Sequence, residues 1–521
     1  MKKIIVSALV LVLGTPLFAQ EYSKTKEELY PIDVNPQRAV KGKYAEFDAY
    51  VRKAFEAYGI AGLSIAVVKD QQVVFSNAYG VKDKKTGDLM DVNAVFGIAS
   101  LSKAFTSAAV GMLVDEGKIK WSDKVVDVLP SFKLYDAYAT ANFTVEDLLA
   151  HRSGYNTFDG DLLWYGTDYS RAEIMERISN LPNKTSFRES YGYNNIMFIV
   201  AGELVAKVSG MSWDQFIETR FFQPLKMTSS RTSTTQFTDN DNLAIPHVKG
   251  ISSDFLNYDN SGGAAALNSS VMDLSNWLKM WTNNGVFNGD TLLQAKTVNY
   301  ILSLQTPQSV SNFDQSNGIN FKGYGLGWFL FDYDGKKVAH HGGGLPGFIS
   351  KIGFVQKENL GFVVLTNDES SLPAALMYCI LDEFMETEND KDWADLYLGF
   401  SKRYEERLEK ERKEQISERK KKTKPSVDLE KYVGTYEDVM YGTAVVTLEK
   451  KTLKVVLNPA KELFNSEMEH WEDDVFQIKF NDGFLPEGYV KFDVKGGNVD
   501  SFIIDLPNPD FHFYHLNFKK K

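Results

Sequence analysis

The sequence predicts an α/β chain of the α+β sandwich type: one antiparallel sheet with helices packed on it, followed by a small all-β C-terminal domain. Three observations predict it. β-rich runs stand at both ends of a helical middle, at residues 63–68 and 73–78 and again between residues 324 and 365. The spacing of apolar residues between them is helical. After residue 425 the texture changes to short strands separated by turn residues such as Asn481-Asp482-Gly483 and Gly496-Gly497-Asn498. Strands from both ends of a chain join most simply in one sheet, which the helices between them then cover.

The elements follow in order. Residues 1–19 read as an export signal: Lys2 and Lys3 give positive charge, residues 4–13 are apolar, and Leu17-Phe18-Ala19 is a small-residue exit. The apolar stretch is shorter than the roughly 20 residues a membrane span needs, and Gly14 and Pro16 interrupt it. A secreted, periplasmic chain without stable membrane insertion is expected. Residues 43–58 have helical spacing, and residues 63–68 and 73–78 form a hairpin across Lys69-Asp70-Gln71-Gln72. Thr144-Val145-Glu146-Asp147 and Ser270-Val271-Met272-Asp273 read as capping boxes before apolar helices. Strands return at 324–331, 337–340, 348–355 and 360–365. Residues 401–424 are a charge run in which Glu406 with Lys410, and Glu409 with Lys413, are spaced for pairs on an exposed helix, which Pro425 ends. Strands at 443–448, 453–457, 475–480, 489–494 and 499–505 then form a sandwich or barrel. The domains are therefore a signal peptide (1–19), the main α/β unit (20–390), a charged helical linker (391–425) and a β-domain (426–521).

Composition narrows the function. With 58 basic and 69 acidic residues the net charge is −11, which argues against a nucleic-acid partner. The single cysteine, Cys379, lies on an apolar helix face, so there is no internal disulfide and no cysteine-rich zinc site. No cofactor is expected.

Three local patterns carry chemistry. Ser100-Leu101-Ser102-Lys103 opens a strongly helical stretch, so Ser100 would stand at a helix start with Lys103 one turn on. A serine hydroxyl needs a base to become a nucleophile, and a lysine in a partly dry site can be that base. The same spacing occurs at Ser23 to Lys26 and Ser417 to Lys420; the apolar setting of Val95-Phe96-Gly97-Ile98-Ala99 favours Ser100. Tyr193-Asn194-Asn195 precedes an apolar helix and offers a phenol, which loses its proton more easily beside a lysine, and an amide for a substrate; Tyr258-Asp259-Asn260 competes with it. His341-Gly342-Gly343-Gly344 ends a strand, where Gly343 and Gly344 let an acyl group lie close and a backbone N–H can join that of Ser100 in an oxyanion hole. Gly342, Gly344 and Gly347 fit a dinucleotide-type glycine pattern, but Pro346 and a following β-rich run exclude it. Adjacent His340 and His341 have no HExxH or cysteine partner, so no metal is expected. No serine has the Gly-x-Ser-x-Gly context of the nucleophile-elbow hydrolases.

The order SxxK at Ser100, YxN at Tyr193, and a basic residue with glycines at His341 resembles the class C β-lactamases and the related penicillin-binding proteins, esterases and D-aminopeptidases. The resemblance runs on through Gly62-Leu63-Ser64-Ile65-Ala66-Val67-Val68, Leu148-Leu149-Ala150-His151-Arg152-Ser153-Gly154, Gly262-Gly263 and Leu345-Pro346-Gly347-Phe348, over roughly residues 45–385. Tyr432-Val433-Gly434-Thr435-Tyr436 is similar to the lipocalin-like domains appended to many such hydrolases. The resemblance implies a β-lactamase-like fold and a serine hydrolase acting through an acyl-enzyme. It implies Ser100 as nucleophile, Lys103 and Tyr193 as acid/base pair, Asn195 as substrate-amide contact, His341 and Gly343 in the third motif, and the N–H groups of Ser100 and Gly344 as oxyanion hole. Dedicated class C β-lactamases have Lys-Thr-Gly where this chain has His341-Gly342-Gly343. That favours peptides, amides or esters over carboxylate-bearing β-lactams, with His341 expected to become cationic only as pH falls through ~6.5. A β-lactamase or D-alanyl-D-alanine carboxypeptidase, and a penicillin-binding sensor with slow deacylation, are the alternatives.

Overall fold

The structure is a computed structural model that describes residues 42–521. The export signal at 1–19 and the competing pair Ser23 and Lys26 lie outside the described residues. Helix α1 (Ala45–Tyr58) leads into the hairpin β1 (Gly62–Lys69) and β2 (Gln72–Gly80). Its two-residue turn puts Asp70 at φ 49° and Gln71 at φ 65°, the left-handed geometry that suits the strand twist.

The helical middle contains α2 (Ser102–Asp115), α3 (Asn195–Ser209) and α4 (Val271–Thr282). The chain then returns as β3 (Thr306–Gln308), β4 (Lys322–Tyr324), β5 (Phe329–Tyr333), β6 (Lys336–Leu345), β7 (Phe348–Val355) and β8 (Leu360–Thr366), followed by α5 (Leu372–Met385). These form one 8-stranded sheet in the order β2-β1-β8-β7-β6-β5-β4-β3. The N-terminal hairpin joins the returning strands through β1 and β8: Leu63 lies opposite Thr366 and Lys69 opposite Leu360.

Strand alternation divides the core. Leu63, Ile65, Val67, Phe362 and Val364 pack with α1 and α5, whereas Ala66, Val68, Val363 and Leu365 pack toward the helical middle. The predicted strand at 324–331 is two strands, because the chain breaks between Tyr324 and Phe329; the glycines of the third motif lie inside β6 rather than after it. The Thr144 box closes in both directions with Asp147. The Ser270 box closes in one only. Ser270 accepts the Asp273 N–H, but the Asp273 carboxylate takes Ser229 N–H at 2.9 Å and Ser230 Oγ at 2.8 Å instead.

The charged run is α6 (Trp393–Glu418), whose first turns cover the α1/α5 layer through Trp393 and Tyr397. Lys413 pairs with Glu409 at 3.1 Å as expected, but Lys410 turns to Glu414 at 3.8 Å rather than to Glu406. The C-terminal strands β9 (Gly434–Asp438), β10 (Gly442–Glu449), β11 (Thr452–Leu457), β12 (Asn465–Glu472), β13 (Val475–Ile478), β14 (Gly488–Lys495), β15 (Asn498–Asp505) and β16 (Phe518–Lys520) form a closed barrel. The barrel docks on the helical middle. Tyr169 donates to the Tyr441 carbonyl at 2.6 Å, Tyr165 donates to Asp482 at 2.7 Å, and the ring of Phe511 stacks on Tyr165 at 3.9 Å. Among the described residues no single helix is long and apolar enough to cross a membrane.

Helix α2 is buried on nearly every side. Phe105 stacks on Trp277 of α4 at 3.8 Å and 12°, and Trp277 meets Phe221 and Trp281 edge-on. Truncating such a ring removes apolar burial and leaves a cavity. Trp277→Ala is expected to destabilise the protein by about 3–5 kcal/mol, read as a lower denaturation midpoint; an unchanged midpoint would show that α4 does not support α2.

Candidate active site

Ser100 sits on a single 3-10 turn (Ala99–Leu101) immediately ahead of α2, not on the α-helix itself. Ala99 before it has φ 52°, a left-handed value unusual for a residue with a Cβ. Ser102 Oγ bridges this turn, donating to the Ala99 carbonyl at 2.7 Å and accepting Leu267 N–H at 3.1 Å. Strand β6 approaches from the other side. A Cβ added at Gly343 would lie 2.5 Å from the Ile98 carbonyl oxygen and 2.9 Å from Ala99 Cβ, so only glycine admits this approach.

One turn into α2, the Lys103 amine has three oxygen partners: Ser100 Oγ at 3.0 Å, Asn195 Oδ1 at 2.5 Å and the Ala264 carbonyl at 3.0 Å. Lys103 is fully buried. Burial pulls its pKa down to about 7, against the opposing pull of the Asp161 carboxylate. Carbonyl oxygens only accept, so the two N–H bonds of a neutral amine go to Asn195 and Ala264, and its lone pair faces the Ser100 hydroxyl. That is the geometry of a base beside a nucleophile.

Asn195 begins α3, and Asn194 caps that helix by accepting Met197 N–H at 3.2 Å. Asn195 Nδ2 donates to Asp161 Oδ2 at 2.5 Å. A carboxylate can only accept, which orients the amide with its oxygen toward Lys103. Asn195 thus holds both Lys103 and Asp161 within the protein. Burial pushes Asp161 up to about 7, against its hydrogen bonds and the Lys103 charge. Asp161 is a functional residue the sequence reading missed, since no short motif ties it to Lys103.

Tyr193 lies on the same side: its hydroxyl is near enough to Ser100 to feel its hydroxyl, and Lys103 Nζ stands 4.8 Å from its ring centroid. The expected easier loss of its proton is reversed. Burial drives the phenol well above its usual range, and the Ser100 contact offsets only part of this. His151 supports the ring from 4.2 Å and accepts Asn194 N–H at 3.0 Å through Nδ1. The competitor Tyr258 lies elsewhere, buried near Trp164 and Tyr165 against the barrel. The remaining competitor, Ser417 with Lys420, is on the exposed end of α6, with Lys420 bonded to Asp473.

His341 is the largest departure from expectation. It is buried, with Nδ1 2.6 Å from the Gly342 carbonyl and Nε2 2.9 Å from the Tyr324 hydroxyl. The carbonyl requires Nδ1–H, so Nε2 accepts from Tyr324 and the neutral ring is satisfied at both nitrogens. Burial, then the nearby Lys103, hold its pKa well below 6.5, and the expected charging near pH 6.5 does not apply. Gly344 is exposed and Ser100 half-buried, which makes their side the open one. Beside it Gly97, Ala266, Leu345 and Phe348 of the hydrolase domain, with Asp482 and Phe484 of the barrel, line a cavity of about 230 Å³.

Residues 47–377 match the family described as Beta-lactamase, and residues 418–520 match the Domain of unknown function (DUF3471). Unguisins hydrolase ungD of Aspergillus violaceofuscus is 26% identical over 385 residues, covering 68% of this chain and 67% of that protein. Penicillin-binding protein 4 of Amycolatopsis lactamdurans is 25% identical over 331 residues, covering 61% of this chain and 85% of its own. The octameric penicillin-binding protein homologue from Pyrococcus abyssi superposes with a TM-score of 0.57 at 19% identity, over 92% of this chain and 100% of that one, which supports the fold. The antiparallel sheet and the match over residues 47–377, most of the chain, together make this protein a serine hydrolase of the beta-lactamase family.

Proposed function

We propose that the protein hydrolyses a peptide, amide or ester bond through an acyl-enzyme on Ser100. The observation that carries this reading is the buried Lys103 amine, with two carbonyl acceptors on its N–H side and the Ser100 hydroxyl 3.0 Å away. Lys103 takes the Ser100 proton as Oγ bonds to the substrate carbonyl carbon, and the oxyanion faces the N–H groups of Ser100 and Gly344. The tetrahedral intermediate collapses as the leaving amine or alcohol takes a proton relayed from the Lys103 ammonium through the Tyr193 hydroxyl, which its raised pKa keeps protonated, so that it hands on one proton as it receives another. Water then adds to the ester, the same groups return the proton, and the acid leaves. Export to the periplasm belongs to the proposal and rests on residues 1–19.

The neutral, doubly bonded His341 favours substrates without a strict carboxylate requirement over penicillins and cephalosporins, because β6 brings no cation to that position. Hydrolysis is in keeping with the name of the unguisins hydrolase relative, and a penicillin-binding relative keeps β-lactam acylation as an outcome to measure.

Three outcomes are expected. Ser100→Ala loses hydrolysis of an activated neutral ester and covalent labelling by a fluorophosphonate, while Ser417→Ala keeps both; a fully active Ser100 variant would refute the assignment. Tyr193→Phe lowers kcat by about 10² to 10⁴, whereas Tyr258→Phe leaves it nearly unchanged, and the reverse ranking would move the acid/base role to the barrel side. For pH, the reactive form is the neutral amine, so kcat/KM falls as pH drops through about 7, where Lys103 gains its proton. Asp161 stabilises the ammonium, so Asp161→Asn is expected to shift this acid limb to lower pH. An upward shift in a steady-state profile would mean that another group sets the limb.

A further inference from the structure

The barrel reaches the catalytic lysine's support through three side chains that the hydrolase chemistry does not use. Asp159 Oδ1 faces two imidazole nitrogens at once, His515 Nε2 at 2.8 Å and His512 Nδ1 at 3.1 Å. All three atoms lie within 4.8 Å of one another. We infer that Asp159, His512 and His515 form a binding site for a divalent transition-metal cation of the zinc class, which joins the barrel to the active-site loop.

Four features support it. Two imidazoles and a carboxylate are a common zinc donor set, and ligand atoms about 2.0–2.1 Å from a tetrahedral ion stand about 3.3 Å from one another. The 2.8 and 3.1 Å separations from Asp159 to the two rings need only a few tenths of an ångström of expansion. His512 Nε2 lies 3.0 Å from the Pro509 carbonyl, which only an N–H can satisfy. In the neutral ring Nδ1 therefore directs a lone pair at a carboxylate oxygen, an acceptor facing an acceptor, and a cation between them removes the conflict. A backbone carbonyl on the far nitrogen is also the usual partner of a metal-bound histidine. Finally, Asp159 Oδ2 is occupied by Asn156 N–H at 2.8 Å, which leaves Oδ1 for the site, and the Asp159 side chain is fully buried with His512 and His515 nearly so.

The site's place gives it a consequence. The Asp159 carbonyl accepts from Asn194 Nδ2 at 2.8 Å, and two residues on Asp161 holds Asn195, which holds Lys103. A bound cation would tie the end of the barrel to this chain of contacts. His512 precedes and His515 ends one 3-10 turn (Phe513–His515), more than 350 positions from Asp159, so only the fold brings the carboxylate to the two rings.

The test uses the full chain, stripped with a chelator and titrated with Zn²⁺ by calorimetry, with bound metal counted by elemental analysis. The natural protein is expected to bind one equivalent, Asp159→Asn and His515→Gln at least 10-fold more weakly, and Zn²⁺ should raise the melting temperature of the natural protein alone by several degrees. No stoichiometric binding by the natural chain, or equal binding by the variants, overturns the proposal and leaves a hydrogen-bonded imidazolium clamp. Should a variant fail to fold, the Co²⁺ form of the natural chain decides: a tetrahedral visible spectrum displaced by one equivalent of Zn²⁺ supports the site, and its absence overturns it.

Discussion

The burial of one lysine amine is the constraint on which the rest of this site depends. Moving an ammonium out of water costs several kcal/mol unless partners replace its hydration, so the fold must either supply them or let the group lose its proton. It does part of each. Asn195 and the Ala264 carbonyl give two fixed acceptors, while α2, packed on nearly all sides, keeps water away. Asp161 lies one residue further out and prevents the amine from becoming permanently neutral. The result is a group held near the point of proton exchange rather than at either limit.

Backbone geometry meets the same requirement. Ala99 adopts a left-handed φ of 52° and Gly343 brings β6 within the space a methyl group would fill, so the nucleophile turn is held between a helix and a strand. Ser350 Oγ donates to the Ile98 carbonyl at 2.9 Å and fixes that approach from the next strand. Strain of this kind persists only where surrounding packing determines it, and here three layers do. The barrel adds a fourth support at the loop of Asp159 to Tyr165, through stacking of Phe511 and the Tyr165–Asp482 bond. It is therefore part of the wall of the site as well as an appended domain.

Much of the architecture was legible because it rests on local period and local chemistry. Alternating β-rich runs announced β1, β2, β7 and β8, and the Thr144 cap announced its helix. The barrel strands β9, β12 and β16 were not legible: β12 carries Met468 as the lone apolar residue of its buried face, beside Ser466, and β16 is three residues long. Asp273 illustrates a different limit. Its spacing from Ser270 fits a capping box, but Ser229 and Ser230, brought near by the fold, compete for the same carboxylate.

By itself, the sequence determined the fold class, the order of the three motifs and the choice of Ser100 with Lys103, because a helix turn sets the spacing of residues three apart whatever surrounds them. Only the tertiary structure decided what those groups are in chemical terms. Asn195 became a partner of the lysine amine, Tyr193 a strongly protonated phenol, and His341 a neutral ring satisfied by Tyr324 and Gly342. Charge state and hydrogen-bond capacity depend on desolvation and on partners distant in the chain, as with Asp161 beside Lys103, and neither quantity is a property of local sequence.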